Sequence, residues 1–487
     1  MKRNSVYVIL VCAVFFFTCR KDVGKINRGN YPDEIGKIIG QNCSVSGCHN
    51  SESYKASADF DLSTWETMFK GSDNGSPVIP FNSEFSSLCY FINTYPELGI
   101  QNSPTMPLNK SPMPYETVKK IKDWINQGAP DISGRVNGSD PELRKLYAVN
   151  QGCDVVTVFN AETQLPIRYV KVGNKPTGNT PHQVHVSPDG KYWYVSFLTT
   201  NILQKFDCRT DQLVGNIPLT PFAAGDLSGP DIYEWNTFVI SSDSKYAYCA
   251  SLNNNGWISK VDLENMTLLK FRVGLSNPHG IALSEADDVI YATSQYGNSI
   301  YIIDSALTNP VRYSLNSLPP NNNPNTLDPH ELFLSHDKKN LLISCQASNE
   351  VRIFSLQTNS VTNVISTGIF PQEIMYSEAK NQYFVACTSD DQMFPNSMGV
   401  ITRIDGLGFG ATHIPCGYQP HGMAVDDRKG ILYVLSRNTS SQGPPPHHTS
   451  SCLGKNGFVN FIDLNTFKLL SKKYELSVDP YYIALRP

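Results

Sequence analysis

The feature that most constrains the fold is a repeat that runs from residue 145 to residue 487. Each copy has an apolar strand after a proline, a polar turn, a second strand rich in Tyr and Val, another turn, and a third strand that ends in Asp. The best copies begin at Pro181, Pro278, Pro329, Pro371 and Pro420. A spacing of roughly 40–60 residues with several short strands per unit is typical of a β-propeller blade.

The two ends of the repeat region predict how the ring closes. The unit that begins at Leu146 lacks an innermost strand, and residues 480–486 form an apolar strand without a unit of its own. If the late strand completes the first unit, the copies make seven blades in a ring closed by N- and C-terminal strands. The copies also resemble YVTN-type propeller repeats, most clearly at residues 298–304 and 457–463. We therefore expect an all-β seven-bladed propeller over residues 145–487.

Upstream of the propeller, Cys43, Cys48 and His49 form a second informative group. Two thiols followed at once by an imidazole can hold haem c, because the cysteines form thioethers with the haem vinyl groups and the histidine ligates the iron. The usual spacing has two residues between the cysteines, whereas four separate them here. A structural disulfide between Cys43 and Cys48 is the alternative.

A methionine-proline loop and a helix follow this group. The apolar residues at positions 118, 121, 124 and 125 lie on one face of a predicted helix that ends at Gly128. Met106, which precedes a proline, is the expected sixth ligand of the haem iron, and Met113, which also precedes a proline, is the alternative. A thioether in that position leaves no open site on the iron and favours electron transfer.

Residues 36–130 resemble the planctomycete-type cytochrome c domain. The resemblance covers the Cys/Cys/His group, the segment 61–88, the Met-Pro loop and the closing segment 121–130. It implies a small all-α cytochrome c-like domain at residues 30–130 that carries covalent haem c. Residues 131–144 are polar and rich in Gly, Asn and Pro, and we interpret them as the linker to the propeller.

The first residues predict export. Lys2 and Arg3 precede an apolar run over residues 6–17, which is too short to span a bilayer, and Cys19 follows the run. This pattern predicts a lipoprotein-type signal peptide over residues 1–19, with Cys19 lipidated and the protein anchored to a membrane in the periplasm or at the cell surface. Simple secretion and an uncleaved anchor are the alternatives.

Composition narrows the classes of partner. The charged fraction is 17% and the net charge is −4, so the basic excess typical of nucleic-acid binding is missing and no nucleic-acid partner is expected. No hydrolase or phosphate-loop motif is present in the sequence.

Among the cysteines, Cys249, Cys345 and Cys387 lie in apolar strand patterns and are expected in the core, whereas Cys416 and Cys452 are candidates for a disulfide.

One position of the repeat, directly after the opening proline, is expected to face the central channel. It carries His182, Asn236, His279, His330, Gln372, His421 and Tyr481. The four imidazoles, those of His182, His279, His330 and His421, predict a second metal site in the funnel, with copper, zinc or iron. The alternative is structural histidines that bond the backbone of the next blade. His447 and His448, in an inserted loop, pose a similar choice between a metal site and a solvated loop.

Three functions follow from these features. The first is an exported haem c protein that acts in electron transfer with a redox partner protein, its propeller holding a partner, a ligand or a second redox centre. The second is a metal-dependent oxidoreductase with the histidine-ringed site, and the third is a cell-surface binding or scaffold lipoprotein. The sequence favours an electron carrier over a complete enzyme, and it identifies no catalytic residue.

Overall fold

The computed structural model describes residues 28–222, 234–322, 327–389, 393, 399–450 and 452–487. The predicted signal peptide at residues 1–19 and the predicted lipidation of Cys19 lie outside these residues. Within the described ranges, no helix combines the length and the apolar character needed to cross a membrane.

Seven four-stranded antiparallel sheets form the propeller in the described part of residues 145–487. From the innermost strand outward, blade 1 contains β28 (Pro480–Leu485), β1 (Lys145–Asn150), β2 (Val155–Asn160) and β3 (Leu165–Lys171). Blade 2 contains β4 (Pro181–Val186), β5 (Tyr192–Phe197), β6 (Ile202–Asp207) and β7 (Leu213–Pro218). Blade 3 contains β8 (Trp235–Ile240), β9 (Tyr246–Ser251), β10 (Gly256–Asp262) and β11 (Thr267–Leu275).

The remaining blades follow the same order. Blade 4 contains β12 (Pro278–Leu283), β13 (Val289–Ser294), β14 (Ser299–Asp304) and β15 (Val311–Ser314). Blade 5 contains β16 (Pro329–Leu334), β17 (Asn340–Cys345), β18 (Glu350–Ser355) and β19 (Ser360–Ser366). Blade 6 contains β20 (Pro371–Ser377), β21 (Gln382–Cys387), β22 (Val400–Asp405) and β23 (Ala411–Pro415). Blade 7 contains β24 (Pro420–Asp426), β25 (Ile431–Ser436), β26 (Asn456–Asp463) and β27 (Lys468–Val478).

The ring closes through blade 1. Strand β28 pairs antiparallel with β1, with Leu146 opposite Leu485 and Ala148 opposite Ile483. The innermost strands of successive blades contact one another around the whole ring. The predictions of a seven-bladed propeller and of its closure by the strand at residues 480–485 are therefore confirmed.

The repeat pattern has a local cause. The Asp that ends a third strand accepts hydrogen bonds from the backbone N–H groups two and three residues later, as Asp207 does from Arg209 and Thr210 at 2.8 and 2.9 Å. Asp262 and Asp463 do the same. Such a carboxylate fixes the turn and stops the strand. The inner strands are buried on both faces and the outermost strands are largely exposed, so apolar residues concentrate near the channel.

The segment before the propeller contains short helices. Its α-helices are α1 (Asp33–Asn42), α2 (Trp65–Met68), α3 (Ser87–Ile92) and α4 (Tyr115–Asn126), and its 3-10 helices are Tyr54–Ala56, Ser83–Phe85 and Pro96–Leu98. A further 3-10 turn, Gln151–Cys153, follows β1. The predicted face of α4 is confirmed, because the side chains at positions 118, 121, 124 and 125 are its buried ones.

The expected small all-α cytochrome c-like domain is wrong. In the described residues before β1 there are four α-helices, two of which have only four and six residues, and irregular backbone joins them. Pro104, Pro107, Pro112 and Pro114 crowd the stretch before α4, and proline cannot continue a helix because it lacks a backbone N–H. The described structure is a mostly β molecule in which this segment packs against the propeller.

Aromatic and polar contacts attach that segment to the outer strand of blade 1. The ring of Phe85 stacks on Tyr169 of β3, with the centroids 4.4 Å apart. The guanidinium of Arg168 lies 5.1 Å from the centre of the Phe81 ring. Ser76 Oγ donates a hydrogen bond of 2.7 Å to the carbonyl of Pro166.

A disulfide joins Cys153, after β1, to Cys452, between β25 and β26. The expected pairing of Cys416 with Cys452 is therefore wrong. Cys416 is instead fully buried among apolar side chains of blades 6 and 7, where its thiol packs like a small hydrophobic group. The core positions predicted for Cys249, Cys345 and Cys387 are confirmed, since all three are fully buried.

Candidate functional site

The four residues predicted to hold haem line one cavity of about 390 Å³. They are Cys43, Cys48, His49 and Met106. This volume falls within the range of roughly 300–1,000 Å³ that is usual for cofactor and small-molecule sites. Residues that are far apart in the sequence therefore meet at one place.

The loop after α1 positions the two cysteines and the histidine. Cys43 N donates to the carbonyl of Ile39 at 2.8 Å, which ends the helix, and His49 N donates back to the carbonyl of Cys43 at 3.2 Å. Gly47 supplies the positive φ, 79°, that this tight loop needs. The longer spacing between the cysteines is thus absorbed in a loop whose two ends are hydrogen-bonded to each other.

The imidazole of His49 is held in a form that can bind a metal. Its Nδ1 donates to the carbonyl of Phe60 at 2.9 Å, because a carbonyl can only accept, and Nε2 therefore carries the free lone pair. Burial lowers the pKa of His49 below its ordinary value of 6.5, although the bond to Phe60 opposes that shift. A neutral imidazole whose second nitrogen is fixed by a carbonyl is the usual arrangement of a histidine ligand.

The two cysteines are both free thiols rather than a disulfide. Cys43 is buried and Cys48 is partly exposed. Burial raises the pKa of the Cys43 thiol to about 12, and the neighbouring Cys48 adds to that shift while Lys110 opposes it. Both thiols are thus reduced and lie in the same cavity, which a covalent attachment would need.

The two candidate methionines occupy different environments. Met106 lines the cavity, and its backbone N–H donates to the carbonyl of Phe91 at 2.7 Å. Met113 is only 2% exposed and belongs to the hydrophobic core that also contains Trp124. The cavity lining includes Met106 and does not include Met113.

Two residues of the propeller complete the cavity, and the sequence analysis did not place them there. His447 and His448 lie in the insertion between β25 and β26 and line the cavity beside Phe91, whose ring centroid is 5.9 and 5.7 Å from theirs. Glu475 anchors them, because its carboxylate accepts from His447 N at 2.6 Å and lies 3.4 Å from His448 Nδ1. The adjacent histidines were a visible signal, but nothing in the sequence told which surface the insertion covers.

The seven residues predicted to face the central channel occupy equivalent places in the seven blades. Each is the second residue of an innermost strand, and all are buried. The rings of His279 and His330 are 4.1 Å apart and those of His421 and Tyr481 are 3.8 Å apart, measured between centroids. The rings of His182, His279, His330, His421 and Tyr481 therefore contact one another.

Two of the channel histidines have hydrogen-bond partners within the protein. His279 Nδ1 donates to the carbonyl of His330, in the next blade, at 3.1 Å, and His182 Nδ1 lies 2.8 Å from Gln151 Nε2. Among the residues that the structure describes, no group of three or more His, Cys, Asp or Glu side chains is arranged to hold a metal ion. The geometry of His279 matches the structural alternative.

No protein-family model and no curated protein matches the chain. Solved structures with a similar fold include hydrazine synthase from Kuenenia stuttgartiensis, with 17% identity, a TM-score of 0.50, and coverage of 66% of this chain and 93% of that one. A functionally unknown protein from Desulfotomaculum acetoxidans DSM 771 has 12% identity, a TM-score of 0.52, and coverage of 70% and 98%. At these identities the similarity concerns the propeller fold alone.

Proposed function

We propose that the protein is an exported haem c protein that acts in electron transfer. One observation carries the proposal: two free thiols, an imidazole with one nitrogen already bonded to a carbonyl, and a thioether line a single cavity. These are the groups that a His/Met-ligated haem c uses: two thiols for attachment, and an imidazole and a thioether to ligate the iron.

The residues of the cavity would divide the work as follows. Cys43 and Cys48 provide the points of covalent attachment, His49 is the proximal ligand oriented by Phe60, and Met106 is the sixth ligand. Haem, when bound, supplies one-electron chemistry. The cavity wall is largely apolar, and the charge of Lys110, which also lines the cavity, suits the carboxylates of haem.

Two observations support export. The N-terminal sequence has the pattern of a lipoprotein signal peptide that ends at Cys19. Independently, the disulfide between Cys153 and Cys452 belongs to proteins of oxidising compartments. A lipid-anchored protein of the periplasm or the cell surface agrees with both.

The propeller would present the haem cavity to a redox partner protein. His447 and His448 belong to blade 7 and form part of the cavity wall, so the propeller is in direct contact with the proposed cofactor site. The similarity to hydrazine synthase supports the propeller fold only.

The test is covalent haem in the full chain, produced together with a cytochrome c maturation system. We expect haem staining on a denaturing gel and a pyridine haemochrome spectrum, both lost in Cys43→Ala/Cys48→Ala. Cys416→Ala is the matched control, because that thiol is buried in the propeller away from the cavity, and it should keep its haem. Wild-type protein without covalent haem would overturn the proposal.

The sixth ligand is tested separately. Replacing Met106 with Ala should open the iron, change the low-spin six-coordinate spectrum and lower the reduction potential, because axial ligands set potentials over a range of about 0.8 V. Met113→Ala should leave the spectrum unchanged, since Met113 lies in the core. A changed spectrum in Met113→Ala together with an unchanged one in Met106→Ala would assign the ligand to Met113.

A further inference from the structure

A second cavity, of about 670 Å³, opens at one end of the propeller channel. Its wall is built from the innermost strands of several blades, beyond the ring of histidines. Apolar side chains such as Leu332, Met375 and Met423 form much of its surface. We call it the channel-end cavity, and neither the haem proposal nor the similar structures give it a role.

Two carboxylic acids of neighbouring blades line the channel-end cavity. Glu331 on β16 is 7% exposed and Glu373 on β20 is 3% exposed. Glu331 Oε1 accepts a hydrogen bond from Leu332 N at 3.0 Å, whereas its Oε2 has no hydrogen-bond partner among the described residues. A glycine of the preceding blade, Gly280, makes room for this carboxyl, because a Cβ there would lie 2.8 Å from Oε1.

No cationic side chain among the described residues forms an ion pair with either acid. Arg437, the guanidinium near the channel, is already engaged by Asp479 through bonds of 2.6 and 2.9 Å. The imidazole of His421 lies beside Glu373, with its Nδ1 4.0 Å from Oε1. A buried acid whose oxygen has no partner is costly to a fold, so such a group marks a place where a ligand can supply the missing donor.

The ring side chains close to the two acids are uncharged near neutral pH: His185, His421, Tyr481 and Tyr482. The charged side chains Glu285, Asp287 and Lys338 also line the cavity, and those of Glu285 and Lys338 are exposed. Burial lowers the pKa of both histidines and raises the pKa of both tyrosines. Burial also raises the pKa of Glu331 to about 8, and it raises that of Glu373, to which the charge of Glu331 contributes.

The two acids and the apolar wall of the channel-end cavity indicate which kind of ligand would fit. A hard divalent cation takes six or more oxygen ligands, and the described residues hold no group of three or more His, Cys, Asp or Glu arranged for a metal. An ammonium group needs only a few acceptors, and a hydrocarbon attached to it would cover the apolar wall. We propose that the channel-end cavity binds a small primary organic amine in its ammonium form, held by Glu331 and Glu373.

Binding should be linked to protons. Because the two acids bind protons more tightly in the folded protein than in water, a cation that enters must displace them. The affinity should therefore increase as the pH rises from about 6 to about 8, the range below the pKa of Glu331.

The test is calorimetric titration of the full chain with n-butylammonium chloride, with 1-butanol as the uncharged probe of similar size. We expect saturable binding of butylammonium alone, weakened at least about tenfold in Glu331→Gln and in Glu373→Gln, since a hydrogen bond to a charged group contributes that much or more. Glu285→Gln is the matched control, because Glu285 lines the same cavity, is exposed, and loses the same charge.

Two further results decide the matter without relying on a variant. Titrations in two buffers of different ionisation enthalpy should reveal protons released on binding, and affinity should be higher at pH 8 than at pH 6. Absence of saturable butylammonium binding, equal binding of butanol, or equal weakening in Glu285→Gln would overturn the proposal. Because the haem cavity lies elsewhere, the presence or loss of haem does not affect these outcomes.

Discussion

The channel histidines are buried without charge. His279 is 3% exposed, and its imidazole donates a hydrogen bond to a backbone carbonyl of the next blade. Burial lowers the pKa of His279 to about 4, and it lowers those of His182, His330 and His421 well below 6.5. In these positions the imidazoles are neutral polar groups that pack between neighbouring blades.

Because His279 is buried without charge, we expect acid to lower the stability of the folded protein. The unfolded imidazole binds a proton below its ordinary pKa of 6.5, whereas folded His279 binds one only below about 4. The free energy of unfolding should therefore fall as the pH falls below about 6.5, with His279 contributing about 3 kcal/mol by pH 4. Gln occupies the same position in blade 6, so His279→Gln is a conservative change that removes the titration.

Urea unfolding of wild type and His279→Gln, followed by fluorescence between about pH 4.5 and 7, measures this effect. We expect a smaller loss of stability on acidification in the variant. An identical pH dependence in the two proteins would show that His279 does not titrate on unfolding.

Strand β28 is the element on which the ring depends. It supplies the innermost strand of blade 1 and contacts the innermost strands of blades 2 and 7. Its residues are buried from Pro480 to Ile483. The repeat made this strand predictable. The first unit lacks an innermost strand and the C-terminal strand has no unit of its own, so pairing the two completes blade 1.

Deletion of residues 481–487 should open the propeller and expose the edge of β1. An exposed edge pairs with other chains, so we expect aggregates in place of a monomer on size-exclusion chromatography with light scattering. Deletion of the exposed Pro487 alone is the control and should leave a monomer. A monomeric truncated protein with unchanged melting would refute this role of β28.

Sequence periodicity predicted the propeller better than the segment before it. In a blade, the inner strands are apolar and buried, and an Asp such as Asp207 ends the third strand at a fixed point. In the N-terminal segment the Cys/Cys/His group and the Met-Pro loop were visible, and they do meet in a cavity. The all-α fold expected from a resemblance was nevertheless wrong, since prolines and loops leave its helices short.

Long-range packing explains the features that sequence analysis missed. The insertion with His447 and His448 crosses from blade 7 to the N-terminal segment, and Cys452 reaches Cys153 across 299 residues. Spacing along the chain carries no information about such contacts. Cys416, a disulfide candidate from the sequence, is buried in the core instead.

The disulfide cross-links blade 1 to blade 7, the blades that contain the last strands of the chain. It connects the turn after β1 to the insertion of blade 7, so it spans the interface at which the ring is closed. Its removal in Cys153→Ser/Cys452→Ser should lower the free energy of unfolding by about 2–5 kcal/mol, since a cross-link restricts the unfolded chain.

Chemical denaturation with and without dithiothreitol measures this contribution. Wild-type protein should lose stability in the reductant, and the double variant should be insensitive to it. Equal stability of wild type and variant in the absence of reductant would contradict the prediction.

The pairing of Leu146 with Leu485 also sets an order of events in the cell. Blade 1 begins with the first strand of the propeller to leave the ribosome and is completed only after synthesis has passed Leu485. Until then the nascent chain keeps one blade short of a strand, and the ring stays open. The propeller can therefore close only after the whole repeat region has been synthesised.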